Sequence, residues 1–283
     1  MSKRPVRGKV VVVTGAGSGI GRALALELSG RGALVSGCDV DEAGLKETAA
    51  LADGTMHTAV VDMGDDARVH AYAGEVATHY GAVHQLYNNA GIAFIGHVAD
   101  STWADYERVL RVNLNGVIHG TQAFLPHLVS SGDGHIANIS SLNGILAQPA
   151  MSHYCASKFA VRGFTEALRG EMLLARHPVR VSVVHPGGVA TPISKNSLTL
   201  ARDAGRVITA ANEARDRTYN EKLLMMPPPK AARIIVDGVE RGRPRIRVGY
   251  DAVLCDLLVR LMPATAVRYA VRSERQILKS ELG

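Results

Sequence analysis

Short β-branched runs recur along this chain, and longer amphipathic stretches separate them. Residues 10–14, 33–39, 58–61, 83–87, 135–140, 179–185 and 245–248 read as strands. Residues 21–30, 42–52, 67–80, 102–128 and 154–175 carry helical patterns. This alternation predicts a parallel sheet, because each crossover between parallel strands needs a helix-sized connection. The strand runs are too apolar for a sheet with one wet face, so helices are expected on both faces. No Pro/Gly/Ser-rich linker, repeat or low-complexity segment divides the 283 residues. The expectation is one α/β domain over residues 1–283, a doubly wound parallel sheet.

The first strand runs into Thr14, Gly15, Ala16, Gly17, Ser18, Gly19, Ile20 and Gly21. A glycine-rich turn between strand and helix lets the backbone approach a pyrophosphate, and the helix N-terminus adds free N–H groups and a positive dipole end. The spacing is not GxGxxG, since counting from Gly15 puts Ile20 last; it is TGxxxGxG. Asp39 closes the second strand, where an acidic side chain accepts hydrogen bonds from adenosine ribose hydroxyls. The carboxylate would repel a 2′-phosphate, and Ala16, Gly17, Ser18 and Val40 supply no cation to hold one. NAD is therefore expected ahead of NADP. Arg22 is the nearby cation that would weaken this argument if it pointed inward. A helix cap or turn is the plainer role for Asp39.

Tyr154 and Lys158 form a YxxxK sequence on a helical stretch. Four residues are just over one turn, so phenol and ammonium share a face. A free phenol titrates near about 10. The ammonium, with an oxidised nicotinamide, is expected to pull that value toward neutrality, so that Tyr154 can accept or return a proton. Ser141, at the end of the 135–140 strand, can hold a substrate oxygen against Tyr154. No G-x-S-x-G elbow surrounds it, so it is not read as a hydrolase nucleophile.

Taken in order, TGxxxGxG, Asn88-Asn89-Ala90-Gly91, Ser141, YxxxK and the Pro186–Thr191 segment resemble the short-chain dehydrogenase/reductase family along residues 7–192. The resemblance implies a Rossmann-type fold and an NAD-dependent alcohol dehydrogenase or carbonyl reductase. It implies a catalytic set of Asn113, Ser141, Tyr154 and Lys158, in which Asn113 holds a water that links Lys158 to solvent. Asn115 competes for that place. Gly15, Ser18, Gly19, Ile20 and Gly21 would carry the pyrophosphate, with Asp62 and Met63 against the adenine. Asn89, Ala90 and Gly91 would line the cofactor, as would Tyr154 and Lys158, the latter reaching the nicotinamide ribose. Pro186, Gly187, Val189 and Thr191 would hold the carboxamide. Homodimers or homotetramers are implied too. His185 reads as a core histidine at a strand end, and His153 as facing solvent or the pocket mouth.

A nucleotide sensor on the same fold is the competing reading, but it would not need Ser141, Tyr154 and Lys158 together. Epimerases and dehydratases of the extended branch have longer chains and other glycine spacings, and enoyl reductases set the tyrosine and lysine further apart. Leu142, Ile145, Leu146 and Met151, with Leu198, Leu200 and Ile208, suggest a hydrophobic secondary alcohol or ketone. Polar residues 195–229 are expected to form a substrate lid or a surface helix pair.

The net charge of +6 lies wholly in residues 222–283, which hold 12 basic and 6 acidic side chains. No nucleic-acid recognition motif accompanies it. Residues 250–283 read as a C-terminal extension. Its apolar positions Val253, Leu254, Leu257, Leu258 and Leu261 recur at helical spacing, with Asp256 and Arg260 placed to pair. Residues 251–275 are expected to cover a pocket edge, form a subunit contact or rest on a membrane surface. Cys38, Cys155 and Cys255 have neither zinc nor CxxC spacing. No metal is expected. The first ten residues lack an apolar signal core, and no apolar run reaches the ~18 residues of a spanning helix. A cytoplasmic protein is expected.

Overall fold

In a computed structural model, which describes residues 3–282, seven parallel strands form one sheet. They are β1 (Val10–Thr14), β2 (Leu34–Asp39), β3 (His57–Val60), β4 (Gln85–Asn88), β5 (Gly134–Ile139), β6 (Val179–Pro186) and β7 (Arg245–Val248). Their spatial order is β3-β2-β1-β4-β5-β6-β7. The chain winds outward from β1 to β3, returns past β1, and winds the other way to β7. The reversal falls between β1 and β4, and a doubly wound sheet binds ligands in the crevice at the carboxyl ends of such strands.

The helices are α1 (Gly19–Gly30), α2 (Glu42–Leu51), α3 (Asp66–Tyr80), α4 (Trp103–Leu110), α5 (Gly116–Ser130), α6 (Ser152–Leu174), α7 (Ile193–Asp203), α8 (Ala210–Thr218), α9 (Pro228–Glu240), α10 (Tyr250–Leu261) and α11 (Pro263–Leu282). β1 shows why they must cover both faces. Successive strand side chains point to opposite sides, and every residue of β1 is buried. Val11 and Val13 share a core with Leu24 and Leu28 of α1 and Ile235 and Val239 of α9. Val10 and Val12 join Tyr72 of α3 and Phe124 and Leu128 of α5 in the other. The edge strand β3 departs from the expected burial, with Thr58 and Val60 exposed.

Two helical expectations change. α1 begins at Gly19 rather than at residue 21. The stretch 102–128 is not one helix: α4 ends at Leu110, a π-type turn spans Arg111–Asn115, and α5 follows. The Gly116 N–H bonds to the Arg111 carbonyl, five residues back. Such a turn admits one extra residue without breaking the helix, and Asn113 sits in it, fully buried. Among the described residues no helix is long and apolar enough to cross a membrane.

Candidate active site

A cleft of about 980 Å³ opens at the carboxyl ends of β1, β4, β5 and β6. At one end the backbone is drawn very close. Gly15 has φ of +68°, and a Cβ there would lie 2.8 Å from the Ala90 Cα. A Cβ on Gly21 would lie 1.8 Å from the Gly15 carbonyl oxygen. Gly15, Ser18, Gly19 and Ile20 line the cleft, whereas Gly21 does not. Gly21 acts one layer down, letting α1 close onto the turn. No side chain caps α1, so its first N–H groups are left for an anion. These features fit a pyrophosphate-bearing group.

Asp39 lines the same end. Its Oδ2 accepts from the Gly17 N–H at 2.8 Å, and its Oδ1 from the Asp41 N–H at 3.1 Å. The carboxylate thus orders the turn, and each oxygen keeps a second lone pair for a ribose hydroxyl. Arg22 does not point into the cleft. It donates to the Gly17 carbonyl, to Thr48 Oγ1 and, at 2.8 Å, to the Glu47 carboxylate.

Asp62 and Met63 reach the cleft edge, although Met63 also belongs to the second core. Burial alone would raise the Asp62 carboxyl. Its hydrogen bond from Gly64 and the Arg111 guanidinium, 2.8 Å away, outweigh burial and hold it below its ordinary value. Asn89 bridges the end of β4 to β1: its amide donates to the Thr14 carbonyl at 3.0 Å and the Gly15 carbonyl at 3.3 Å. Ala90 and Gly91 also line the wall. A Cβ on Gly91 would sit 3.2 Å from Asn113 Oδ1 and 3.4 Å from Lys158 Nζ.

Tyr154 and Lys158 meet at the other end. Lys158 Nζ lies 5.6 Å from the Tyr154 ring centroid and donates to the Ile139 carbonyl at 3.0 Å. Burial lowers the Lys158 ammonium to about 8. Burial also pushes the Tyr154 phenol up to about 12, against a lowering hydrogen bond with Ser141 and with a further rise from Cys155. The lowering expected from an ammonium acting with an oxidised nicotinamide is therefore not a property of the protein alone, in which desolvation dominates. Ser141 Oγ lies at the end of β5 and accepts from the Asn143 N–H at 3.1 Å.

Asn113 stands behind this group rather than in the cleft wall. Its Oδ1 accepts from the Ile92 N–H at 2.8 Å, and its Nδ2 donates to the Ile92 carbonyl at 2.9 Å and to Ser157 Oγ at 3.0 Å. Asn115 is exposed. His185 is fully buried, as a core histidine should be, but it also touches the site. Its Nδ1 lies 2.9 Å from the Ser141 carbonyl oxygen. A carbonyl only accepts, so Nδ1 carries the proton and the ring steadies Ser141. Burial lowers His185 to about 4. His153 faces neither solvent nor the cleft mouth. It is fully buried, packed against Phe94 and Tyr106, with Nε2 2.8 Å from Ser101 Oγ.

Pro186, Gly187, Val189 and Thr191 line the cleft between the two ends. The Val189 N–H already bonds to the Gly187 carbonyl at 3.0 Å. Leu142, Leu146 and Met151 face the cavity, but Ile145 does not. Leu198, Leu200 and Ile208 also lie outside it, and Leu200 and Ile208 pack around Phe94 and Val109. The apolar lining from this region comes instead from Ile193 and Leu223 to Met226.

The family model described as short chain dehydrogenase matches residues 9–200. The chain belongs to the short-chain dehydrogenase/reductase family. It is 48% identical over 268 residues to SadH of Mycobacterium tuberculosis, an oxidoreductase by name, with 92% of this chain and 93% of that protein covered. It is 34% identical over 196 residues to levodione reductase of Leifsonia aquatica, covering 67% of this chain and 73% of the relative. Among solved structures, a short-chain dehydrogenase/reductase from Burkholderia phymatum in complex with NAD superposes with a TM-score of 0.82. The two are 32% identical, and the match covers 92% of this chain and 95% of that one.

In this short-chain dehydrogenase/reductase the cleft is completed by residues beyond the family match, where no motif marks them. Asp251, in the first turn of α10, accepts from the Gly188 N–H at 2.6 Å. Arg215 of α8 pairs with Glu274 of α11 and lies 4.4 Å from the Tyr219 ring centroid, while Tyr219 Oη donates to Glu274 at 3.0 Å. All four line the cleft. Arg215 and Tyr219 lie one helical turn apart, but Glu274 and Asp251 are far along the chain, so only the packing of α8 on α11 and of α10 on the β6–α7 loop brings them together.

Proposed function

We propose that the protein interconverts a hydrophobic secondary alcohol and its ketone with NAD(H), with Tyr154 as the acid/base. The observation that carries this reading is the convergence of Ser141, Tyr154 and Lys158 at one end of a cleft whose other end is the Gly15–Ile20 turn and Asp39. The NAD complex of the Burkholderia phymatum relative and the name of levodione reductase support the same reading. NAD when bound supplies the hydride acceptor and, oxidised, a positive charge in the cleft.

Gly15, Ser18, Gly19 and Ile20 would hold the pyrophosphate, and Asp39 the adenosine ribose. Asp62, Met63, Asn89, Ala90 and Gly91 would line the adenine and ribose walls, with Pro186, Gly187, Val189 and Thr191 at the carboxamide. Arg22, spent on α2, leaves Asp39 without a cation that could hold a 2′-phosphate. Ser141 Oγ would hold the substrate oxygen beside the Tyr154 hydroxyl, which gives or takes the proton. Lys158 would keep positive charge near the phenolate and exchange protons with solvent through a water held at Asn113. Residues 195–229 would form the lid over the apolar half of the cleft, latched by Arg215 and Glu274. The protein is proposed to be cytoplasmic and to work as a homo-oligomer.

The test is NADH formation across hydrophobic secondary alcohols, with the matching ketones in reverse. Tyr154→Phe is expected to lower turnover by about 10²–10⁴-fold while leaving NAD binding intact. NAD binding without turnover on any alcohol or ketone would favour the sensor reading instead.

A further inference from the structure

α10 carries a second apolar stripe on its outward side. Tyr250, Val253, Leu254, Leu257 and Leu261 recur at three- and four-residue spacing, and their exposures are 81, 40, 50, 50 and 70%. The side packed on the molecule holds Ala252 and the carboxylate of Asp256, both buried, and half-buried Cys255, Leu258 and Val259, which pack on Leu146, Ala266 and Ala270. A helix that merely covers a core shows water a polar face.

The surroundings of this stripe are basic. Asp256 accepts from Arg245, Arg247 and Arg260, each at 3.1 Å, so three guanidinium groups share one carboxylate. On α11, Arg268, Arg272 and Arg275 are exposed on neighbouring turns and have no acidic partner among the described residues. The stripe is also continuous with the cleft, because Tyr250 at its start and Tyr269 of α11 line the cavity and are themselves exposed.

We propose that the α10–α11 hairpin docks the protein on an anionic lipid surface. The leucine stripe enters the headgroup and upper acyl region, the arginines meet lipid phosphates, and the cleft mouth opens toward the bilayer. A second copy of the chain fits this face poorly. A two-fold contact brings a patch against its own copy, so the partner could offer these arginines only the hairpin's own carboxylates. The described carboxylates of the hairpin are already committed: Asp251 to Gly188, Asp256 to its three arginines, and Glu274 to Arg215. The inference is independent of the reaction proposed above.

The full-length protein is sedimented with phosphatidylcholine vesicles and with vesicles carrying about 30% phosphatidylglycerol, at low and high salt. The wild type should partition onto the anionic vesicles, less so at high salt. Leu254→Asp/Leu257→Asp/Leu261→Asp should lower that partition by about tenfold or more. Arg268→Glu/Arg272→Glu should abolish the preference for anionic lipid. These side chains are exposed, so both variants should keep the wild-type melting temperature, and the arginine variant decides the matter if the leucine variant misfolds. No partition of the wild type, or equal partition of the variants, overturns the proposal. So does a wild-type dimer that the leucine variant turns into a monomer, since the stripe would then be a subunit contact.

Discussion

Asp251 accepts a 2.6 Å hydrogen bond from the backbone N–H of Gly188. It thereby ties the first turn of α10 to the loop between β6 and α7. The same carboxylate fills the space a side chain on Gly187 would need, since a Cβ there would lie 2.1 Å from Asp251 Oδ2. Gly187→Ala should push Asp251 off Gly188 and cost about 1–2 kcal/mol, the worth of a charge-assisted hydrogen bond. In an Asp251→Ala background the same change should cost only a few tenths of a kcal/mol. Urea unfolding of the four proteins measures the coupling, and additive costs would mean that some other contact excludes the methyl group.

Lys158 is a stability cost kept at the centre of the site. Its folded value of about 8 lies below its ordinary 10.5, so between these values the unfolded chain binds the extra proton. The cost is present in full below about pH 8 and is relieved as pH rises toward 10.5. At 1.36 kcal/mol per pH unit, the gap corresponds to about 3 kcal/mol. Lys158→Met should therefore stabilise the protein at neutral pH by about 1–3 kcal/mol, the lost bond to Ile139 taking part of the gain, while turnover disappears. Denaturant titrations at pH 7 and pH 10 should show the advantage of the variant shrinking at the higher pH. An equal advantage at both would exclude desolvation of the ammonium as its cause.

Cofactor choice should be reversible at two adjacent positions. Asp39 faces the cleft as a free-sided carboxylate, and Val40 beside it is 65% exposed. Replacing both as Asp39→Ala/Val40→Arg removes an acceptor of ribose hydroxyls and adds a guanidinium for a 2′-phosphate. The ratio of kcat/KM for NAD over NADP should fall by about 10–100-fold, the equivalent of one or two charge-assisted hydrogen bonds. Because Asp39 also orders Gly17, some loss with both cofactors is expected. A ratio that stayed constant would locate cofactor choice elsewhere.

Much of the fold and part of the site were legible in local spacing, for a physical reason. Residues one helical turn apart share a face, so Tyr154 and Lys158 could be paired from their positions alone. A strand of valines such as β1 demands apolar cover on both sides. Gly21 sits where the helix nearly touches the Gly15 carbonyl six residues back in the same turn. The π-type turn around Asn113 was not legible, because helical periodicity continues through it while the backbone register shifts.

The parallel α/β architecture, the glycine turn and the YxxxK pair can be read from the residues alone, since each is set by neighbours a few positions apart. The packing of distant elements settled where Arg22 points, that His153 is buried, that His185 braces Ser141, and that desolvation pushes the Tyr154 phenol up in the protein alone. Only it showed that Leu198, Leu200 and Ile208 turn away from the cleft, that Asp251, Arg215 and Glu274 reach it, and that the leucines of α10 face outward. Each of these depends on which distant element packs against a side chain and removes it from water, and no local period encodes that.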